Sequence, residues 1–324
     1  MSSRPRKKQK LEVDNEPENK PPIVFKFKGF ELDTKLTVFS QEFHVHSSVL
    51  KVNSIFFRTF LDSADKKKSD VSAAGKFRYK WITQIDDDGE GWHFVCDNAK
   101  NKVNSTIPST YKDFNRQEHF FHTIMRAIHG LPYNIKGWAD IECLTDLADY
   151  YGALRSVSAG LGSATLTVPN LFESLKKEAF KVLPLAIKLR NENLFRDCVI
   201  WCMGPYDNPQ RRKIKDENLR AVVKKISERL DERVREVEAR ITEYFPKTGR
   251  KVSRSYPSYF LDKSESMAYE IGKGEHSAVF GDILKNSLIL QPELEAGDYE
   301  ADNYFLNVKL TAEDIPWDTK EVDW

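Results

Sequence analysis

The chain has 324 residues, 50 basic and 49 acidic side chains and a formal net charge of +1. That length supports one or two domains with ordinary cores, the near-neutral balance excludes a broad electrostatic footprint for nucleic acid, and four cysteines are too few for a disulfide scaffold. No apolar run approaches the ~20 residues that cross a bilayer, and the N-terminus lacks the apolar segment of a secretory signal, so a soluble intracellular protein, nuclear or cytoplasmic, is expected.

Residues 1 to 22 are charged and carry Pro5, Pro17, Pro21 and Pro22. Their apolar content is too small to offset the entropy of ordering, and they read as a disordered basic tail. Within it Arg4, Arg6, Lys7, Lys8 and Lys10 form a cluster of the kind that nuclear import receptors read, although the same charges could simply be solvated or touch phosphate without specificity. Residues 23 to 30 (IVFKFKGF) alternate apolar and basic side chains, as a half-exposed strand does.

Residues 36 to 61 (LTVFSQEFHVHSSVLKVNSIFFRTFL) carry the densest signal. Val38 and Phe39 are β-prone, residues 42 to 46 alternate with period two, and Ser47 stands where a hydroxyl would cap a short helix containing Val49 and Leu50. Ser54 can cap a second helix, which Ile55, Phe56, Phe57, Phe60 and Leu61 make apolar around most of its circumference, predicting burial. Residues 62 to 75 are polar and read as a loop. Phe77, Tyr79, Trp81, Thr83 and Ile85 then share one face of a strand, residues 86 to 91 (DDDGEG) supply turn chemistry, and residues 92 to 96 return to complete a hairpin.

Another polar stretch, residues 97 to 118, leads to a helical segment at residues 120 to 133 (FFHTIMRAIHGLPY). Ile141, Leu144, Leu147, Ala148, Tyr151, Leu154, Val157 and Leu161 recur at three and four, predicting one amphipathic helix that opens at Asp140 as N-cap and breaks near Gly160 and Gly162. From Asn170 onward Leu171, Leu175, Phe180, Leu183, Leu189, Leu194, Phe195 and Val199 describe further short helices, which Gly204 and Pro205 stop. Residues 211 to 243, with Leu219, Val222, Val223, Ile226, Leu230, Val234, Val237 and Ile241, read as a single long helix; its stripe could zip onto a partner, but its mixed spacing favours packing on its own domain. Residues 278 to 290 look helical and residues 304 to 310 (YFLNVKL) alternate like a strand. Trp317 and Trp324 suggest a tail that anchors aromatics on the folded body or, alternatively, a tryptophan-bearing ligand for another protein.

The block from residue 36 to 61 resembles the BTB (POZ) domain, whose members carry an apolar strand, a histidine just before the first helix, a Val-Leu pair and a Ser-x-Phe-Phe run, here His46, Val49, Leu50, Ser54, Phe56 and Phe57. Residues 120 to 133 resemble the family's later helix, and residues 144 to 161 and 185 to 205 resemble segments of fungal BTB-containing proteins. The resemblance implies an α+β chain: a small mixed sheet flanked by short helices over residues 23 to 165, with an inserted β-hairpin within about residues 62 to 118. A helical extension over residues 166 to 245 and a C-terminal segment of unassigned fold at 246 to 324 complete that expectation.

Motifs for chemistry are lacking. Cys198 and Cys202 could share a helix face as metal ligands, but their apolar neighbours favour two small core residues. His44 and His46 would point to one face of a strand without a third ligand; His119, His122 and His129 lie on a predicted helix without a carboxylate or cysteine set at zinc spacing. There is no P-loop, nucleophile elbow or metalloprotease pair. Catalytic, cofactor and metal sites are not expected, and an enzyme survives only as an unrecognised activity in residues 247 to 324.

The family resemblance implies a non-enzymatic protein-interaction module that forms homodimers or heterodimers and recruits protein partners. Its expected determinants are His46, Phe56 and Phe57, with Val24, Phe25 and Phe27 for strand exchange between chains. A second reading, a nuclear transcription or chromatin factor, rests on the basic tail and the cation-rich residues 211 to 240, though nucleic acid and membrane are not the expected partners. A third, an adaptor for a cullin-type ubiquitin ligase scaffold, meets an obstacle: where some relatives carry a hydrophobic-x-Glu triplet, this chain has Arg116, Gln117 and Glu118.

Overall fold

The computed structural model describes residues 20–63, 76–87, 91–98, 114–244, 257, 259, 260, 281–295, 301 and 303–324. It is a mixed α and β structure that divides into two compact units, Met1–His129 and Gly130–Trp324. The helical residues 141 to 161, expected to close the first domain, belong to the second unit.

In the first unit, β1 (Ile23–Val24), β2 (Thr34–Val38), β3 (Gln41–Val45), β4 (Tyr79–Ile85) and β5 (Trp92–Cys96) form one sheet in the order β1-β3-β2-β4-β5. The hairpins β2/β3 and β4/β5 are antiparallel, and the pairings β1/β3 and β2/β4 are parallel. The register aligns Ile23, Phe43, Leu36, Trp81 and Cys96 in one row across the sheet. Phe43, Leu36 and Trp81 in that row are fully buried. The opposite face carries Lys35, Glu42 and His44, with Lys35 Nζ 3.1 Å from the Glu42 carboxylate, so the period-two alternation sets one dry face and one wet face.

Helices α1 (Ser47–Asn53), α2 (Ile55–Phe60) and α3 (Phe114–Ile128) complete the unit. Phe57 of α2 lies 6.0 Å from Trp81 and Phe121 of α3 lies 5.2 Å from Phe43, ring centre to ring centre, with Phe94 of β5 touching both helices' rings. Two local expectations need correction. Ser47 is the first helical residue and not the cap: the carboxylate of Asp33, just ahead of β2, accepts its amide at 2.7 Å and its hydroxyl as well. Helix α2 is not buried all round, since only Phe57 and the following Leu61 are fully enclosed, while Ile55 and Phe60 face outward. Six residues make fewer than two turns, and the sheet receives only one side of them. Ser54 does cap α2, accepting the Phe57 amide at 3.2 Å.

The β2/β3 turn is built by tertiary contacts. Phe39 has φ of 52°, where hairpins ordinarily place glycine. Its amide donates to Thr83 Oγ1 of β4 at 3.0 Å and its ring packs on Trp92 at 5.4 Å. Beside it, the Ser40 amide and hydroxyl both donate to the buried Glu118 of α3, at 2.8 and 2.7 Å. Residues 23 to 30 do not form the full strand expected of them: pairing stops at Val24, with Phe25 adding one more bond to the His44 carbonyl, and Gly29 (φ 86°) turns the chain away.

The second unit contains α4 (Trp138–Tyr150), α5 (Leu154–Leu166), α6 (Leu171–Lys188), α7 (Glu192–Met203) and α8 (Glu217–Tyr244). The single helix expected over residues 141 to 161 is two. The break lies at Gly152 (φ 55°), where the amides of Gly152 and Ala153 return to the carbonyls of Asp149 and Ala148 in a Schellman motif. Asp140 is not the N-cap but lies in the first turn, reaching back to accept the Lys136 amide at 2.8 Å. Gly160 and Gly162 continue α5, because Gly160 leaves room for the buried Tyr133 ring, whose hydroxyl donates to the Val157 carbonyl at 2.6 Å.

Helix α7 is apolar on almost every side and holds the buried, free Cys198 and Cys202 among core residues. Burial drives the Cys202 thiol up to about 12 and raises that of Cys198 well above its ordinary value, which disfavours the reactive thiolate at both. Helix α8 turns its apolar stripe from Leu219 to Ile241 inward onto its own unit. Residues 304 to 308 are buried but belong to no strand, and residues 281 to 284 are the described helical part of the segment expected at 278 to 290. Trp317 packs on Phe195 at 5.4 Å and the Arg190 guanidinium lies 4.7 Å above the Trp324 ring, so both tryptophans anchor the tail.

Glycine costs a helix interior roughly 1 kcal/mol relative to alanine. Gly160→Ala should nevertheless lower the thermal midpoint, because an added Cβ would stand 2.6 Å from the Tyr133 ring. A raised midpoint would show that helix propensity, not this close approach, governs the position.

Candidate functional site

The N-terminal segment is fastened to the first unit by histidines. Residues 27 to 30 form a β-turn, closed by the Phe30 amide on the Phe27 carbonyl at 3.2 Å with Gly29 in its positive-φ corner. His46, between β3 and α1, grips both ends of this loop: Nδ1 lies 2.9 Å from the Glu31 carbonyl and Nε2 accepts the Phe27 amide at 3.1 Å. That pair of partners selects the tautomer with its proton on Nδ1.

Rings extend the clasp. Phe25 stacks on His129 at 4.5 Å and meets His122 edge-on at 6.1 Å. Phe27 lies between His46 at 5.6 Å and His129 at 6.1 Å, and Phe30 touches His46 edge-on at 6.4 Å. His129 Nδ1 is 2.7 Å from the Met125 carbonyl, and burial pushes the ring's pKa down to about 4 against the hydrogen bond that favours its protonated form. His122 is lowered in the same direction, first by burial and then by Arg126 and His119.

Of the residues singled out from sequence, Phe25, Phe27 and His46 therefore meet in one place. Val24 adjoins them on β1, the outermost strand, and is 49% exposed. Phe25 is buried and works as an anchor, so it is not available for exchange between chains in this arrangement. Phe56 and Phe57 join a separate cluster, with Phe60 5.0 Å from Phe56 and Trp81 6.0 Å from Phe57. Arg4, Arg6, Lys7, Lys8 and Lys10 lie outside the described residues.

The roles of three residue groups escaped the sequence reading. Phe30 is 67% exposed and Val52 of α1 is 70% exposed, large apolar surfaces that no periodicity within so short an element could have assigned outward. His129 appeared as a candidate ligand and serves instead as a stacking platform. Glu118 stood out only for failing a motif, yet it holds the β2/β3 turn and pairs with Lys20 at 2.6 Å. His44 turns to Glu42 at 3.3 Å and to the Phe77 ring on the polar face, since His46 has already left the strand. Among the described residues no three His, Cys, Asp or Glu side chains are placed to hold a metal ion.

No protein-family model, curated protein or solved structure matches the chain. Among the described residues no helix is long and apolar enough to cross a membrane.

The depressed His129 pKa gives a signed expectation. The fold favours the neutral ring, so its contribution is complete above the unfolded value of 6.5 and is lost as pH falls toward about 4. Urea midpoints should drop more between pH 7 and pH 4.5 for the natural chain than for His129→Phe. Equal drops would remove His129 from the acid response.

Proposed function

We propose that the chain is a non-enzymatic protein-interaction module of the BTB (POZ) kind, which self-associates or pairs with a related chain through its first unit and recruits protein partners. The observation that carries this reading is the edge of the sheet at β1, which no strand among the described residues extends, bearing the exposed Val24 and continuing into the exposed Phe27 and Phe30, which His46 clasps to the unit. An exposed strand edge with apolar side chains is the surface that another chain covers by adding a strand. The element order supports the family assignment: a strand pair, two short helices, a strand parallel to the first of the pair, and a later aromatic helix that meets the pair through Phe43 and Phe121. The outward Val52, Ile55 and Phe60 extend the apolar surface on α1 and α2. The reading implies an intracellular setting, in nucleus or cytoplasm.

The alternatives draw less support. Arg229 and Arg233 of the cation-rich α8 are engaged by Asp314 at 2.5 Å and Asp282 at 3.0 Å, which disfavours a nucleic-acid surface there. Glu118 is buried on Ser40, so the place of the triplet offers no exposed ligase-binding motif.

Light scattering on the whole chain should return twice the monomer mass. The double variant Val24→Asp, Phe27→Asp should return the monomer mass with unchanged circular dichroism. A natural chain that stays monomeric at every concentration, alone and with related chains, would overturn the reading.

A further inference from the structure

In the second unit an extended segment runs past α8. The carbonyls of Asn307 and Lys309 accept from Arg233 at 2.8 Å and Arg229 at 3.2 Å, both on α8. The Leu306 carbonyl faces the other way and accepts the Ser287 amide at 3.2 Å and its hydroxyl at 2.6 Å. Such alternation is that of an extended chain, so Val308 and Leu310 turn their main-chain groups to the side of Leu306.

Pairing does not continue there. The next amides across from it, those of Ile289 and Leu290, are taken by the buried Asp197 of α7 at 2.9 and 2.8 Å. The amides and carbonyls of Val308 and Leu310 make no hydrogen bond among the described residues. Where the two segments part, a groove of about 510 Å³ opens; among the described residues its apolar lining is Ile200, Ile289, Val308 and Leu310 and its charged lining is Arg196 and Lys309.

Val308 is buried as a residue, and a main-chain group loses on the order of 1–3 kcal/mol wherever it is shut off from water without a partner. An extended polypeptide supplies a donor and an acceptor at every second residue, the spacing that Val308 and Leu310 present. Alternate side chains of such a strand would enter the apolar lining. Carboxylates on it would join Arg196 and Lys309, which already meet Glu192 at 2.8 Å and Asp282 at 2.9 Å.

We propose that this groove binds an extended peptide segment of another protein, alternating apolar and acidic residues, which adds as a strand along residues 308 to 310. The test pans a displayed library of random heptapeptides on the full chain and measures the most enriched peptide, made synthetically, by fluorescence anisotropy. Enrichment of alternating apolar and acidic residues is expected. Binding should weaken at least tenfold when alternate peptide amides are N-methylated and at least tenfold in Leu310→Pro, and several-fold in Lys309→Glu but not Lys309→Arg. The amides of Val308 and Leu310 should exchange hydrogen at least tenfold more slowly in the complex.

The natural chain and Leu310→Pro should show the same mass by light scattering. A lower mass for the variant would make a second copy the occupant and overturn the proposal. So would peptides enriched equally on Leu310→Pro, no enrichment at all, or unprotected amides. If Leu310→Pro fails to melt cooperatively, the N-methylated peptide and the Lys309 pair decide alone.

Discussion

The first unit is organised by a sheet with one dry face. Phe43, Leu36 and Trp81 sit side by side across three strands, and Phe94 lies on the same face one pair further along. Full burial of a large apolar side chain is worth roughly 1.5–3 kcal/mol, so this row cannot remain uncovered. Phe57 and Phe121 cover it, and nearly every other feature follows from bringing them there. Helix α2 must face the sheet with one side, which leaves Ile55 and Phe60 outside. Helix α3 must cross the β2/β3 turn, which places Glu118 under Ser40. A slip of one residue in the register would turn Lys35, Glu42 or His44 into the aromatic layer, and that penalty holds the pairing.

The second unit solves a different problem, an extended segment without a sheet. Residues 304 to 308 are buried in succession, so their carbonyls need partners that strands would have provided. Arg233 of α8 supplies one to Asn307 and Ser287 supplies one to Leu306 from the other side, while Arg229 reaches the next carbonyl, that of Lys309. Buried polar groups accumulate where this segment is fastened. Burial works against the charge on Asp314, but Arg229 and Thr311 outweigh it and hold the carboxyl below its ordinary value. At Asp197 burial prevails over two backbone donors and raises the carboxyl to about 6. Asp197 is the more strongly desolvated and is held by amides alone, whereas a cation joins Thr311 at Asp314, and the two shift in opposite directions.

The clasp at His46 and the groove beside Val308 share a logic. Both are places where an extended chain carries hydrogen-bonding groups outside a ladder. At the clasp His46 satisfies them, and stacked histidine and phenylalanine rings hold the loop down. At the groove nothing within the described chain does so. A single side chain with one donor and one acceptor can close a loop, but a longer extended edge calls for another peptide.

Periodicity alone located most elements, because alternation and three-four spacing are local consequences of which faces are dry. The β2/β3 pair, the hairpin of β4 and β5 and the long helix α8 were legible for that reason, and residue chemistry marked the Ser54 cap and the stop at Gly204; the contact of His46 with the N-terminal segment was not legible. What remained hidden depended on residues far apart in the chain. Ser47 looked like its own cap until Asp33 came within 2.7 Å, and Gly160 looked like a helix breaker until the Tyr133 ring occupied its side. The run at 304 to 310 has the alternation of a strand, yet strand identity needs a neighbour with free amides, and its neighbour spends those on Asp197. Which residues are apolar was written in the sequence; which of them would be covered was decided by the tertiary structure, since a short helix or an extended segment has more apolar sides than one neighbour can enclose.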